Sequence, residues 1–114
     1  MSQPAMDANA FAEMKELMGD TFKEVVSLCA QSLPEQLSNI ERAIKDQNAE
    51  TLFSISHKMK SSCGSIGAFG LAEKAEAIEL ISRDGSTDIP EQTLSDLHDA
   101  AANVLSILNA ELNN

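Results

Sequence analysis

Tryptophan and tyrosine are missing from this chain, and its only aromatic residues are four phenylalanines among 114 residues. The interior must therefore be built from Leu, Ile, Val, Met and Ala, which favour helices apart from the β-branched ones. Basic residues are also few: eight Lys and Arg face 18 Asp and Glu, a formal net charge of -10. That balance argues against nucleic acid as a partner, because phosphate backbones need a basic surface. It argues equally against anionic membranes. The simplest reading of the charge is a solvated, self-repelling surface. Only two cysteines are present, Cys29 and Cys63, and they form no CxxC pair. Nothing suggests a disulfide framework or a zinc site. No apolar run is long enough to cross a bilayer. The opening Met1-Ser2-Gln3-Pro4-Ala5-Met6 has neither the basic start nor the apolar stretch of a signal peptide. The cytoplasm is the expected location.

What is present is helical periodicity almost throughout, in a chain of single-domain size. A short first helix is expected over 7–18, with Asp7 as its cap, Phe11, Met14, Leu17 and Met18 on its apolar side, and Gly19 at its end. The second is expected over 21–46. Thr21 would be its N-cap, with Glu24 three positions later completing a capping box. Its stripe is Phe22, Val26, Cys29, Leu33, Leu37, Ile40 and Ile44. Pro34 interrupts the backbone ladder, and the continuing stripe favours a kink over a break. A third helix over 49–65 carries Leu52, Ile55, Met59 and Cys63 inward, with Ile66 just beyond. A fourth, over 68–82, turns Leu71, Ala75, Ile78 and Ile81 inward. The fifth is expected over 88–112, capped by Asp88 with Glu91 and with Pro90 in its first turn. Its stripe is Leu94, Leu97, Ala101, Val104, Leu105, Leu108 and Leu112. No strand alternation or internal repeat is found. The expectation is one all-α domain spanning 1–114: an antiparallel up-down four-helix bundle with a short additional N-terminal helix packed against one end.

One residue stands where a core side chain would not. On a wheel of about 100° per residue, the apolar positions of the third helix gather opposite His57. His57 therefore points to solvent. Glu50, Phe53, Lys60, Ser61 and Gly64 share its face. Lys60 lies one turn away, so its ammonium can reach a group carried by the imidazole. Ser61 and Gly64 are small and leave room for a partner. Phe53 is an apolar group turned outward beside a polar reactive one, as a docking site requires. Neutral imidazole is a good nucleophile, with an unperturbed pKa of about 6.5. A cation beside it would stabilise an added phosphoryl group, and phosphoryl transfer asks mainly for positioning and charge stabilisation. The bland alternative is a surface histidine with chance neighbours and a Gly64 that only ends the helix.

Residues 52–71, Leu-Phe-Ser-Ile-Ser-His-Lys-Met-Lys-Ser-Ser-Cys-Gly-Ser-Ile-Gly-Ala-Phe-Gly-Leu, resemble the signature of histidine phosphotransfer domains. The family pattern is roughly Ala-His-x-Leu-Lys-Gly, then small residues, then Leu-Gly-Ala and a Leu. His57, Lys60, Gly67, Ala68 and Leu71 match it directly, and Ile66 stands in for the Leu before Gly. Glu79 follows Ile78 where the family often shows Leu-Glu. Ser56, Met59, Ser61 and Cys63 replace Ala, Leu, Gly and a small residue, and all are mild departures. The resemblance implies that His57 is phosphorylated, usually on Nε2, and that Lys60 contacts the phosphoryl group. It implies that the small residues Ser61 and Gly64 let a receiver domain close over the site, and Phe53 and Lys58 are expected to complete the docking surface. The partners would be receiver domains of response regulators and of a hybrid sensor histidine kinase. This chain would need no cofactor of its own, and magnesium would belong to the receiver's aspartate pocket.

Three rival readings compete. A sensor-kinase fragment would place an acidic residue after its histidine and carry ATP-binding glycine motifs; here Lys58 follows His57 and no such motif is present. His98-Asp99 imitates the pair, but His98 falls on the flank of the fifth helix's stripe, where a structural role is expected. A non-catalytic helical adaptor would use the same face without chemistry. A metal-binding bundle finds no converging His and Cys positions. The apolar stripes are accounted for inside one bundle, which favours a monomer. The start methionine and compact length favour a free-standing shuttle over an excised module.

Overall fold

The computed structural model describes residues 3–114, so Met1 and Ser2 of the opening stretch lie outside it. Five helices follow one another: α1 (Ala8–Met18), α2 (Thr21–Lys45), α3 (Ala49–Ser65), α4 (Phe69–Arg83) and α5 (Glu91–Leu112). There is no strand among the described residues. Helix α2 packs on α3 and α5, and α4 packs on the same two helices, so the four long helices enclose one core. Phe22, Val26, Ile40, Leu52, Met59, Leu71, Ile78, Leu97 and Leu108 fill it. Each buried side chain of this size contributes roughly 1.5–3 kcal/mol over its exposed state. None of the described helices is long and apolar enough to cross a membrane.

Local chemistry sets the helix ends. Asp7 accepts from the Ala10 N–H at 3.0 Å and caps α1, and Asn48 accepts from Thr51 N–H at 3.0 Å and caps α3. Two expected caps are corrected. Thr21 is the first residue of α2, not its cap; Asp20 precedes it in a helical conformation and makes no side-chain bond to the turn, so no capping box forms. Helix α5 starts at Glu91 and not at 88: Pro90 is extended at ψ 142°, and Asp88 instead donates its N–H to Ser86 Oγ at 3.0 Å. The residue before a proline is pushed away from helical ψ, which keeps Ile89 and hence position 88 out of the helix. Helix α2 runs unbroken through Pro34, which is exposed.

Helix α1 lies against α2 through an edge-to-face contact of Phe11 and Phe22, ring centroids 5.0 Å apart. Lys15 reaches Glu111 at 2.9 Å on α5. The Asp7 N–H donates to the Gly67 carbonyl at 2.8 Å, and the Leu71 N–H donates to the Ala5 carbonyl at 3.3 Å. The second bond satisfies one of the first-turn donors of α4, which has no side-chain cap. Two glycines permit this crossing. Gly67 sits at φ 85°, and a Cβ there would lie 2.9 Å from that of Ala10. A Cβ on Gly70 would overlap the backbone of Pro4 and lie 2.8 Å from the Ala5 Cα. The N-terminal segment is thus laid across the α3–α4 junction, with Met6 buried in the core. One expected apolar position fails: Leu17 is 86% exposed. Of the long helices α1 packs along α2 and meets α5 only at Lys15, so its buried stripe is narrower than its apolar one.

Candidate functional site

His57 lies in the middle of α3, on the side facing away from Leu52, Met59 and Cys63. Its side chain is 58% exposed. Beside it, on α4, Glu79 is held almost out of solvent at 8% exposure and directs both oxygens toward α3. Oε2 lies 2.5 Å from His57 Nδ1, and Oε1 lies 2.7 Å from Lys60 Nζ. Lys60 is also 3.6 Å from Glu76 Oε2. One buried carboxylate therefore holds the imidazole and the ammonium together from beneath.

The charges of this trio follow from their contacts. Burial would by itself push the Glu79 carboxyl up. Hydrogen bonds from Lys60 and His57, with their charge, outweigh it and hold the group below the ordinary carboxylate value. The hydrogen bond to Glu79 raises the Lys60 ammonium above its ordinary value, with burial opposing it and the charges of Glu79 and Glu76 adding to it. An ionised Glu79 has only acceptor oxygens, so His57 Nδ1 carries the proton of this bond. The neutral ring then keeps its lone pair on Nε2. Phe53, one turn earlier, stacks on the imidazole with centroids 5.7 Å apart and planes 15° from parallel. The ring is fixed from two sides, by the carboxylate and by the phenyl face.

The other sequence-chosen residues fall around this centre. Lys58 and Ser61 are exposed, Gly64 and Phe53 half-buried. Beyond the local helix backbone, nothing lies within 4 Å of where a Cβ on Gly64 would be, so the surface after His57 is open. Ser56, where the family pattern has Ala, is fully buried and donates to the Leu52 carbonyl at 2.8 Å. Two shallow clefts flank the trio. One is lined by Lys60, Phe69, Glu73 and Glu76, the other by Glu50, Phe53, Ser82 and Arg83. His98 stands apart, 3.3 Å from Glu41 on α2, and joins α5 to α2. Cys63 is buried, and burial, with the charge of Cys29, pushes its thiol up to about 12, leaving it a poor nucleophile. Among the described residues, no group of three or more His, Cys, Asp or Glu is placed to hold a metal ion.

Glu79 was not among the residues chosen from sequence as forming the site. It lies 22 positions from His57 on another helix, beyond the reach of one-turn arguments. The only signal was its place in the Leu-Glu position of the family pattern.

The family model for the Hpt domain matches residues 24–107. No curated protein sequence matches the chain. In fold, the chain is similar to the crystal structure of histidine-containing phosphotransfer protein B (HptB) from Pseudomonas aeruginosa PAO1. The TM-score is 0.88 at 21% identity, over 98% of this chain and 97% of that one. It is also similar to the HPT domain of a sensor hybrid histidine kinase from Shewanella, with TM-score 0.78 at 18% identity over 96% of this chain and 94% of that one.

Proposed function

The chain belongs to the Hpt domain family, and from that premise we propose that it carries phosphoryl groups on His57 between receiver-domain aspartates. We read its architecture as the antiparallel up-down bundle of four long helices, with α1 as the additional short one. The observation that carries the proposal is the His57 imidazole, exposed on one edge and hydrogen-bonded at Nδ1 to the buried Glu79.

The chemistry runs through Nε2. Its lone pair attacks the phosphorus of an aspartyl phosphate, and a nitrogen–phosphorus bond forms. The phosphorus–oxygen bond breaks, and its electron pair leaves with the aspartate carboxylate. The ring gains positive charge as it does so, and Glu79 offsets that charge through the Nδ1 proton, as a carboxylate does behind a catalytic histidine. Lys60 faces the incoming negative charge. The reverse attack by another aspartate returns the group, since the phosphoramidate is a high-energy linkage. Phe53, Lys58, Ser61 and Gly64 form the landing surface for receivers of response regulators and of a hybrid sensor kinase. Any magnesium ion belongs to the receiver's pocket, and the chain works without a cofactor or kinase activity of its own, as a cytoplasmic monomer.

The test is phosphotransfer from a panel of phosphorylated receivers. Acid-labile label is expected on the wild-type chain and on His98→Gln, and none on His57→Gln. Label retained by His57→Gln overturns the proposal. Incubation with ATP and magnesium alone should leave the chain unlabelled, and autophosphorylation would make it a kinase fragment. If receivers bind the chain but never label it, the helical-adaptor reading takes its place.

A further inference from the structure

Lys60 is gripped by two carboxylates that differ in their surroundings. Glu79 is buried and also holds His57, whereas Glu76, one turn before it on α4, is half exposed and touches only Lys60 among the site residues. Glu76 has no part in orienting the imidazole. The trio of Lys60, Glu76 and Glu79 is therefore net negative before any phosphate arrives, and a phosphoryl group adds close to two further negative charges. A cation already shared by two anions gives less to a third. We infer that Glu76 is a positioning residue that draws Lys60 toward the cleft bordered by Phe69 and Glu73 and so keeps phosphohistidine poised to give its phosphoryl group away. Glu76 acts through Lys60 and sets how far the exchange between His57 and a receiver aspartate lies toward the receiver. The inference rests on His57 being the phosphoryl acceptor.

The experiment measures the equilibrium distribution of label between the chain and a phosphorylated receiver, and the decay of isolated phosphohistidine. Glu76→Gln should shift the distribution toward phosphohistidine by about two- to fivefold, the range of an exposed ion pair, and should slow the decay. Glu73→Gln removes the same charge from the same cleft at a residue that accepts from Gln3 and not from Lys60, and its shift should be less than half as large. In a Lys60→Ala background the effect of Glu76→Gln should shrink to that of Glu73→Gln, because the two residues act as one unit. A Glu76→Gln distribution equal to wild type overturns the inference. So does a shift that Glu73→Gln reproduces, or one that survives intact in Lys60→Ala. A wild-type chain that never takes label fails the proposed function itself, and that outcome is separate because it is read before any Glu76 variant is compared.

Discussion

His57 offers one nitrogen outward because the other is tied to a carboxylate on the neighbouring helix. Glu79→Gln removes the charge behind the ring while nearly keeping its shape. Phosphotransfer should slow roughly a hundredfold or more, the scale on which positioned proton-holding groups act; an unchanged rate would reduce Glu79 to packing. The same contact shapes the response to acid. The Glu79 carboxyl titrates below its ordinary value in the folded chain, so its stabilisation is complete above the ordinary carboxylate pKa of about 4.3 and is lost as pH falls through the lower folded value. Denaturant titrations should therefore show the wild-type advantage over Glu79→Gln shrinking below about pH 4, and a gap that stays constant to pH 2 would contradict this. Phe53 touches the imidazole and is absent from the buried core. Phe53→Ala should weaken receiver binding more than it lowers the melting temperature, and a large loss of Tm would mark it as a core residue. At this scale the sequence revealed what one helix determines. The outward direction of His57 and the nearness of Phe53 and Lys60 are matters of 100° steps along α3. Glu79 escaped because only the packing of α4 on α3 brings it there.

The elements were legible wherever periodicity controls them and less so at their ends. The stripe of α2 crosses Pro34 without a break, as its spacing required. The caps were harder. Asp20 and Thr21 are both capping residue types in adjacent positions, and the choice between them depends on backbone angles that no spacing encodes. Leu17 read as buried because α1 is amphipathic, yet the neighbour that would cover it is not there. The α3–α4 junction carries this scale's prediction. Gly70→Ala drives a methyl into the backbone of Pro4 and Ala5, and overpacking of that kind costs about 1–3 kcal/mol. Gly64→Ala meets nothing within 4 Å and replaces a poor helix former, so it should raise stability by up to about 1 kcal/mol. Thermal melts should thus move in opposite directions for the two variants. Gly64→Ala should still slow phosphotransfer if receivers dock as proposed, because the added methyl would then stand in their way. Faster or equal transfer would free Gly64 from the docking surface.

Over the whole molecule, 18 acidic residues against eight basic ones make copies of the chain repel, while the core is enclosed by α2 to α5 without help from outside. Sedimentation at low salt should give a single 12.2 kDa species, and a stable dimer would point to self-association through exposed apolar side chains such as Leu17, Leu28 or Leu80. The chain has no tryptophan, which makes it optically silent where indoles emit. Phe53→Trp would then place a lone fluorophore flat against the reactive ring. In the proposed exchange the neighbouring imidazole would change its charge and its substituent each time a phosphoryl group came or went, so the emission of that single probe would follow the traffic in real time, with no radioactive label at all.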